Sequence, residues 1–155
     1  MTARWPERLD TDRHCLIVLE RVLRAAAPME GCALLLGHWR DQQLRLERIW
    51  PCRNSWEPAE QRCHRFHLDP REQLLAQKWC RERGLQVIGA AHSHPTSAAV
   101  PSGTDLELCF GPTLMLIHSG VGPAADAFRA WWIPAAEGDR PPEPRPLAMD
   151  VRPAA

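Results

Sequence analysis

Apolar residues recur along the first third of the chain with two different periods. Over residues 11–27, Leu16, Leu19, Val22, Leu23 and Ala26 fall at three- and four-residue steps, and Pro28 ends the pattern, which predicts a helix. Residues 32–37 form a short unbroken apolar run, the mark of a buried strand. Leu44, Leu46 and Ile49 are interleaved with charges over 44–50 and predict the next strand, with 38–43 as its hairpin connection. The polar stretch 51–64 holds Pro, Asn and Ser and reads as a loop, with a short strand over 66–68.

Asp69-Pro70-Arg71-Glu72 then carries the start signals of a helix, with Asp at the cap, Pro at the first helical position and Glu close behind. Leu74, Leu75 and Trp79 give that helix an apolar stripe, and Gly84 ends it after Arg81 and Arg83. Residues 85–93 predict a strand, 102–109 a short helix, and 113–118 and 128–133 two more strands joined by a Gly/Pro turn at 120–123. From Pro134 onward six of 22 residues are proline, which predicts a flexible, extended tail over 134–155 behind a single domain of residues 1–133. The order of elements is that of an α/β (α+β) fold with a mixed β-sheet flanked by helices.

Composition narrows the function classes. At 155 residues the chain has room for one core and not for an eight-stranded α/β barrel. Its 19 basic and 19 acidic residues cancel, which argues against a nucleic-acid partner. The first residues lack an apolar signal core, and no apolar run nears the ~18–20 residues of a membrane span, so no membrane partner and a cytoplasmic location are expected. The six cysteines contain no CxxC and read as free, mostly buried thiols; Cys52 and Cys63, flanking one loop, are the pair to check for a bridge. Trp56, in the polar loop beside Asn54, is a candidate docking aromatic, against the alternative that it folds back onto the core. Trp131 and Trp132 are adjacent and face opposite ways on a strand, so one is expected in the core and the other over a helix or at a homodimer surface.

The chemistry concentrates in Ala91-His92-Ser93-His94-Pro95 and Ser102-Gly103-Thr104-Asp105. On a strand, residues i and i+2 share a face about 6.6 Å apart, so two imidazoles can lean together onto one metal ion. Asp105, brought back by the loop after Pro95, can add a carboxylate and leave a fourth tetrahedral position open. Hydrolysis at such a site needs a proton shuttle that is not itself a ligand. Each piece alone has a plainer reading: a solvent-facing His pair, an ordinary capping box at Ser102 and Asp105, and a surface glutamate at Glu30.

Together, His92-x-His94-x₇-Ser102-x₂-Asp105 and the upstream Pro28-Met29-Glu30-Gly31-Cys32-Ala33-Leu34-Leu35-Leu36-Gly37 resemble the signature of the JAMM (MPN-plus, JAB/MPN domain) metallopeptidases over roughly residues 12–133. Asn54 and the Phe66…Asp69-Pro70 stretch fit the same family. The resemblance implies a JAMM/MPN fold related to cytidine deaminases. It implies one Zn2+ per chain held by His92, His94 and Asp105, with Glu30 as the proton-transfer residue and Ser102 steadying the oxyanion. It implies a compact prokaryotic type that cleaves after the Gly-Gly of a ubiquitin-like or sulfur-carrier protein, whose tail adds a strand to a sheet edge. Asn54 and Trp56 are the candidate substrate-binding residues. The loops 51–64 and 95–101 are short, which disfavours selection of polyubiquitin. A non-catalytic MPN-type interaction module is the alternative, and a deaminase would require H-x-E and P-C-x-x-C motifs that the chain lacks.

Overall fold

The structure, a computed structural model, describes residues 5–109 and 111–153. Its elements run β1 (Arg8–Asp12), α1 (Arg13–Arg24), β2 (Cys32–Arg40), β3 (Gln43–Cys52), α2 (Pro70–Arg81), β4 (Gln86–His94), α3 (Gly103–Glu107), β5 (Thr113–Ser119), β6 (Phe128–Ile133) and β7 (Arg145–Arg152), with short 3₁₀ turns at Ala59–Gln61 and Ala124–Asp126. The expected mixed sheet with flanking helices is present, and it closes on itself in the order β1-β3-β2-β4-β5-β6-β7. β1 pairs in parallel with β3 and β7, and β4 with β5; the other neighbours are antiparallel.

Alternation along the strands makes one inward residue set. Leu9, Leu35, Leu44, Leu46, Ala91, Leu114, Leu116, Ala130, Trp132 and Leu147 form one buried cluster with Cys15, Leu19 and Leu23 of α1. Those three helix positions are four residues apart, so they make one stripe. Asp12 starts α1 by accepting the Cys15 N–H at 2.7 Å, and the predicted helix over 11–27 therefore shortens at both ends. Thr11 belongs instead to β1, whose five residues are too few for their alternation to stand out from the helical period that follows.

Two smaller clusters cover the outer face. Ala76 and Cys80 of α2 pack on Leu34 and Leu36, flanked by Trp50 and Trp79, whose rings meet edge-on at 6.1 Å. Beyond β4, Ala99, Met115, Ile117, Trp131 and Ile133 pack with Leu106 and Cys109. Both Trp131 and Trp132 are buried: Trp131 donates its indole N–H to the Ala99 carbonyl at 3.0 Å, and Trp132 meets Trp39 edge-on at 5.8 Å. Trp132 lies in the core and Trp131 packs against Leu106 of α3, so the pair divides between core and helix as expected, with neither ring exposed. The short strand expected over 66–68 reduces to one bridge, Asn54 with Leu68. All six cysteines are free, and Cys52 stands in register opposite Cys32 rather than near a disulfide partner in its loop.

The largest departure from the sequence reading is the tail. Residues 145–152 are a strand held on both sides, by Ala130–Trp132 of β6 and by all of β1, with Leu147 buried in the core. The flexible tail expected over 134–155 is therefore a strand over 145–152, and its last two residues lie outside the described residues. Proline sits at Pro141, Pro142, Pro144 and Pro146, before the strand or in its second position, where a missing N–H is tolerated. Truncation after Pro134 opens the ring between β6 and β1 and uncovers the core beneath Leu147. It is expected to cost on the order of 3–5 kcal/mol and to lower the melting temperature by about 10 °C. Calorimetry of the truncated chain checks this, and an unchanged melting temperature would refute the closure.

Candidate metal centre

β4 is antiparallel to β2, so its C-terminal end lies beside the segment that brings Glu30 into β2. His92 and His94 point outward from that end, and Ser93, between them, points the other way. Ser93 Oγ accepts the Gly31 N–H at 2.8 Å, and the Ser93 N–H donates to the Gly31 carbonyl at 3.0 Å. Gly31 is required at this join, since a Cβ there would lie 2.6 Å from the Leu23 carbonyl oxygen. Ser93 thus fastens the strand that carries the two imidazoles to the residue that follows Glu30.

Asp105 arrives from α3 through a capping box. Its backbone N–H donates to Ser102 Oγ at 3.0 Å, and its Oδ2 accepts the Ser102 N–H at 2.9 Å. The plain capping reading and the ligand reading hold together, because the box fixes where the carboxylate points. Oδ2 lies 3.0 Å from His92 Nε2 and 3.2 Å from His94 Nε2, and the two Nε2 atoms are 3.2 Å apart. Ligands about 2.0–2.1 Å from a tetrahedral zinc are separated by about 3.3 Å, so this triangle is the size such an ion requires. His94 is oriented by its Nδ1, 2.8 Å from the Ala98 carbonyl, as metal-binding imidazoles commonly are. His92 is held by stacking on Phe66, with ring centroids 4.3 Å apart, and its Nδ1 has no hydrogen-bond partner among the described residues.

Glu30 completes the cluster. Its carboxylate and the three ligand atoms all lie within 4.8 Å of one another, and all four residues are buried. Its Oε1 is buried without a partner among the described residues, a costly state that a cation or a bound polar molecule would relieve. Burial pushes its carboxyl up to about 8; Asp105 adds to the rise and His94 opposes it. Burial also acts to raise Asp105, but the contacts with His92 and His94 outweigh it and hold that carboxyl well below the usual range. Burial lowers His92. It works against protonation of His94 too, but the Asp105 and Ala98 contacts overcome it and leave His94 raised. One carboxylate is therefore built to stay ionised between two imidazoles, and the other to carry a proton near neutrality.

The remaining expected residues are placed as follows. Ser102 is exposed at the rim, and its hydroxyl proton has no acceptor among the described residues. Trp56 is half-buried, with the Arg65 guanidinium 5.3 Å over its ring and its indole N–H on Gln61 at 3.1 Å. Trp56, Phe66 and Leu68 line a groove of about 440 Å³ together with Ala90, Met115, Thr104 and Leu108, and His92 and Asp105 of the centre line it too. Asn54 does not face this space: it is buried, and its amide is bound to backbone groups. Ser93 shapes the strand end as its place inside the His-x-His motif suggests, its inward direction following from strand alternation, whereas sequence reasoning missed Phe66 as a support.

The fold and site define a class, a mixed α+β domain with a buried His-His-Asp centre and a separate buried glutamate beside it. Residues 13–134 match the family described as prokaryotic homologs of the JAB domain, and the chain belongs to that family. It is 32% identical over 123 residues to a desampylase of Pyrococcus furiosus, covering 75% of this chain and 79% of that protein. It is 35% identical over 103 residues to tail tip assembly protein K of Escherichia phage N15; that covers 66% of this chain but 36% of the phage protein, so the chain spans about a third of that relative. Among solved structures, a protein from Desulfitobacterium hafniense superposes with a TM-score of 0.80 at 28% identity, over 94% of both chains. One from Salinibacter ruber does so with a TM-score of 0.58 at 30% identity, over 91% of both.

Proposed function

We propose that this chain is a zinc-dependent metallopeptidase or isopeptidase that hydrolyses the amide bond after the C-terminal Gly-Gly of a ubiquitin-like or sulfur-carrier protein. The observation that carries the reading is the metal-sized triangle of His92, His94 and Asp105 with an unpartnered, buried Glu30 next to it. Family membership and the likeness to a desampylase support hydrolysis of the isopeptidase kind. Zinc on the two Nε2 atoms and Asp105 Oδ2 would supply Lewis-acid polarisation and make water acidic near neutral pH.

The chain's own residues do the rest. Glu30 as a carboxylate takes the proton of the attacking water, and its raised affinity for that proton suits it to hand it on to the leaving nitrogen. Ser102, with its hydroxyl proton uncommitted, donates to the oxyanion as charge develops. The groove leads a slender chain to His92, and a Gly-Gly end passes the narrow site without side-chain clash. The main sheet closes on itself, so a tail can extend it only where a strand is paired on one side, as β3 is over 46–52. The groove walls, Trp56 among them, offer the tail a second support.

The test is incubation of the zinc-loaded protein with small β-grasp carrier proteins extended beyond their Gly-Gly, followed by mass spectrometry. Cleavage after the second glycine, lost with chelator and restored by zinc, is expected. Intact carriers in the presence of zinc-loaded protein would defeat the proposal, and binding that ignores chelator would favour a non-catalytic interaction module.

A further inference from the structure

Asn54 is 7% exposed, and its side chain makes five hydrogen bonds, all with backbone. Its Nδ2 donates to the carbonyls of Glu30 at 3.0 Å, Arg65 at 2.8 Å and, more weakly, Arg62 at 3.4 Å. Its Oδ1 accepts the N–H groups of Trp56 at 3.1 Å and His67 at 3.2 Å. A carboxamide has two donor hydrogens and two acceptor lone pairs, so none is left for a substrate.

What the amide holds is informative. The β2 ladder begins at Cys32 and Ser93 of β4 holds Gly31, but the sheet bonds neither backbone group of Glu30 itself. Both backbone groups of Glu30 end instead on the loop between β3 and α2: its N–H donates to the Arg62 carbonyl at 2.8 Å, and its carbonyl accepts from Asn54. The same loop supplies Trp56, Phe66 and His67 to the groove, and Phe66 stacks on His92. Arg62 ties the loop to itself by donating from Nε to the Trp56 carbonyl at 2.7 Å.

We propose that Asn54 is a positioning residue that couples the wall of the groove to the proton-transfer residue, by holding the Glu30 carbonyl and the groove loop with one amide. The inference rests on the hydrolytic reading of the site. A shift of about 1 Å in a reacting group can cost on the order of a hundredfold in rate, so a loosened Glu30 registers in turnover before it registers in binding.

The test compares zinc-loaded parent, Asn54→Asp and Asn54→Ala. Aspartate keeps the acceptors for Trp56 and His67 but loses every donor. Both variants are expected to keep one zinc per chain, because no ligand is touched. Their kcat should fall at least about tenfold while KM stays within about threefold, and Asp should lose as much kcat as Ala although it melts at a higher temperature. A kcat that follows melting temperature, or that stays within about twofold of the parent in folded, loaded protein, overturns the inference. Arg62→Ala covers the case in which the Asn54 variants do not fold. It loosens the same loop from a partly exposed position and is expected to lower kcat several-fold with zinc retained; an unchanged kcat counts against the coupling. If the parent cleaves no carrier, the hydrolytic reading falls first. Hydrogen exchange of the zinc-loaded chains then decides: the Glu30 amide should exchange at least about tenfold faster in Arg62→Ala, with the amides of β4 unchanged, and equal Glu30 exchange overturns the coupling.

Discussion

Glu30→Gln is expected to lower hydrolysis by on the order of 10²–10⁴-fold while zinc stays bound. The three ligand atoms lie 3.0–3.2 Å apart without Glu30, so the metal-sized triangle survives the change. Glutamine is nearly the same shape but cannot take a proton from water. Activity assays paired with metal analysis check both halves, and a variant with parental activity would remove Glu30 from the mechanism.

The same substitution has a second signature in the metal-free protein. Burial raises the Glu30 carboxyl from 4.5 to about 8, so between those limits the folded chain keeps a proton that the unfolded chain has released. Stability is then full below pH ~4.5 and declines as pH rises toward 8. Glutamine has no such loss. In chelator, Glu30→Gln should gain several degrees of melting temperature over the parent between about pH 5 and pH 8.5. Melting curves that run parallel across that window would show that Glu30 is not held protonated.

Asp105→Asn carries the other large effect, a fall in zinc affinity of at least about a hundredfold with loss of turnover. Asp105 Oδ2 receives His92, His94 and the Ser102 N–H, and its low proton affinity shows how strongly its charge is used there. Asparagine still accepts the Ser102 N–H and so preserves the cap, but it brings no charge to the two imidazoles. In chelator its melting temperature should fall by several degrees near neutral pH, because the carboxylate's contacts with the two imidazoles are lost while the cap stays. Competition against a chromogenic chelator measures the affinity. Zinc binding equal to the parent would show that the carboxylate is there for the helix alone.

Most of this was legible because local chemistry and tertiary role coincided. The strand at 128–133 ends where its apolar run ends, and α2 starts where Asp69 and Pro70 place it. The pairing of His92 with Asp105 could be anticipated because strand alternation and a capping box each fix a direction. What was missed depends on partners far away in sequence. β7 is proline-flanked and mostly exposed, and only its pairing with β6 and with β1, some 140 residues earlier, makes it a strand. Asn54 looked like a loop residue awaiting a substrate; the backbone groups that occupy it come from Glu30 and from 56–67, and no local pattern announces them. The cover over Trp131 is non-local as well: its indole N–H meets the carbonyl of Ala99, 32 residues earlier.

The seam between β1 and β7 has one more consequence. The two strands are parallel over five residue pairs, from Arg8 with Ala148 to Asp12 with Arg152, so the chain enters the seam at one end and leaves it at the other. A pull applied through the two flanking segments would slide these strands past each other. The rungs then share the load together instead of opening one at a time. Forced unfolding should meet its main resistance there, far from the groove, and a tether at either end would leave Glu30 and the two imidazoles undisturbed until the ring itself parts.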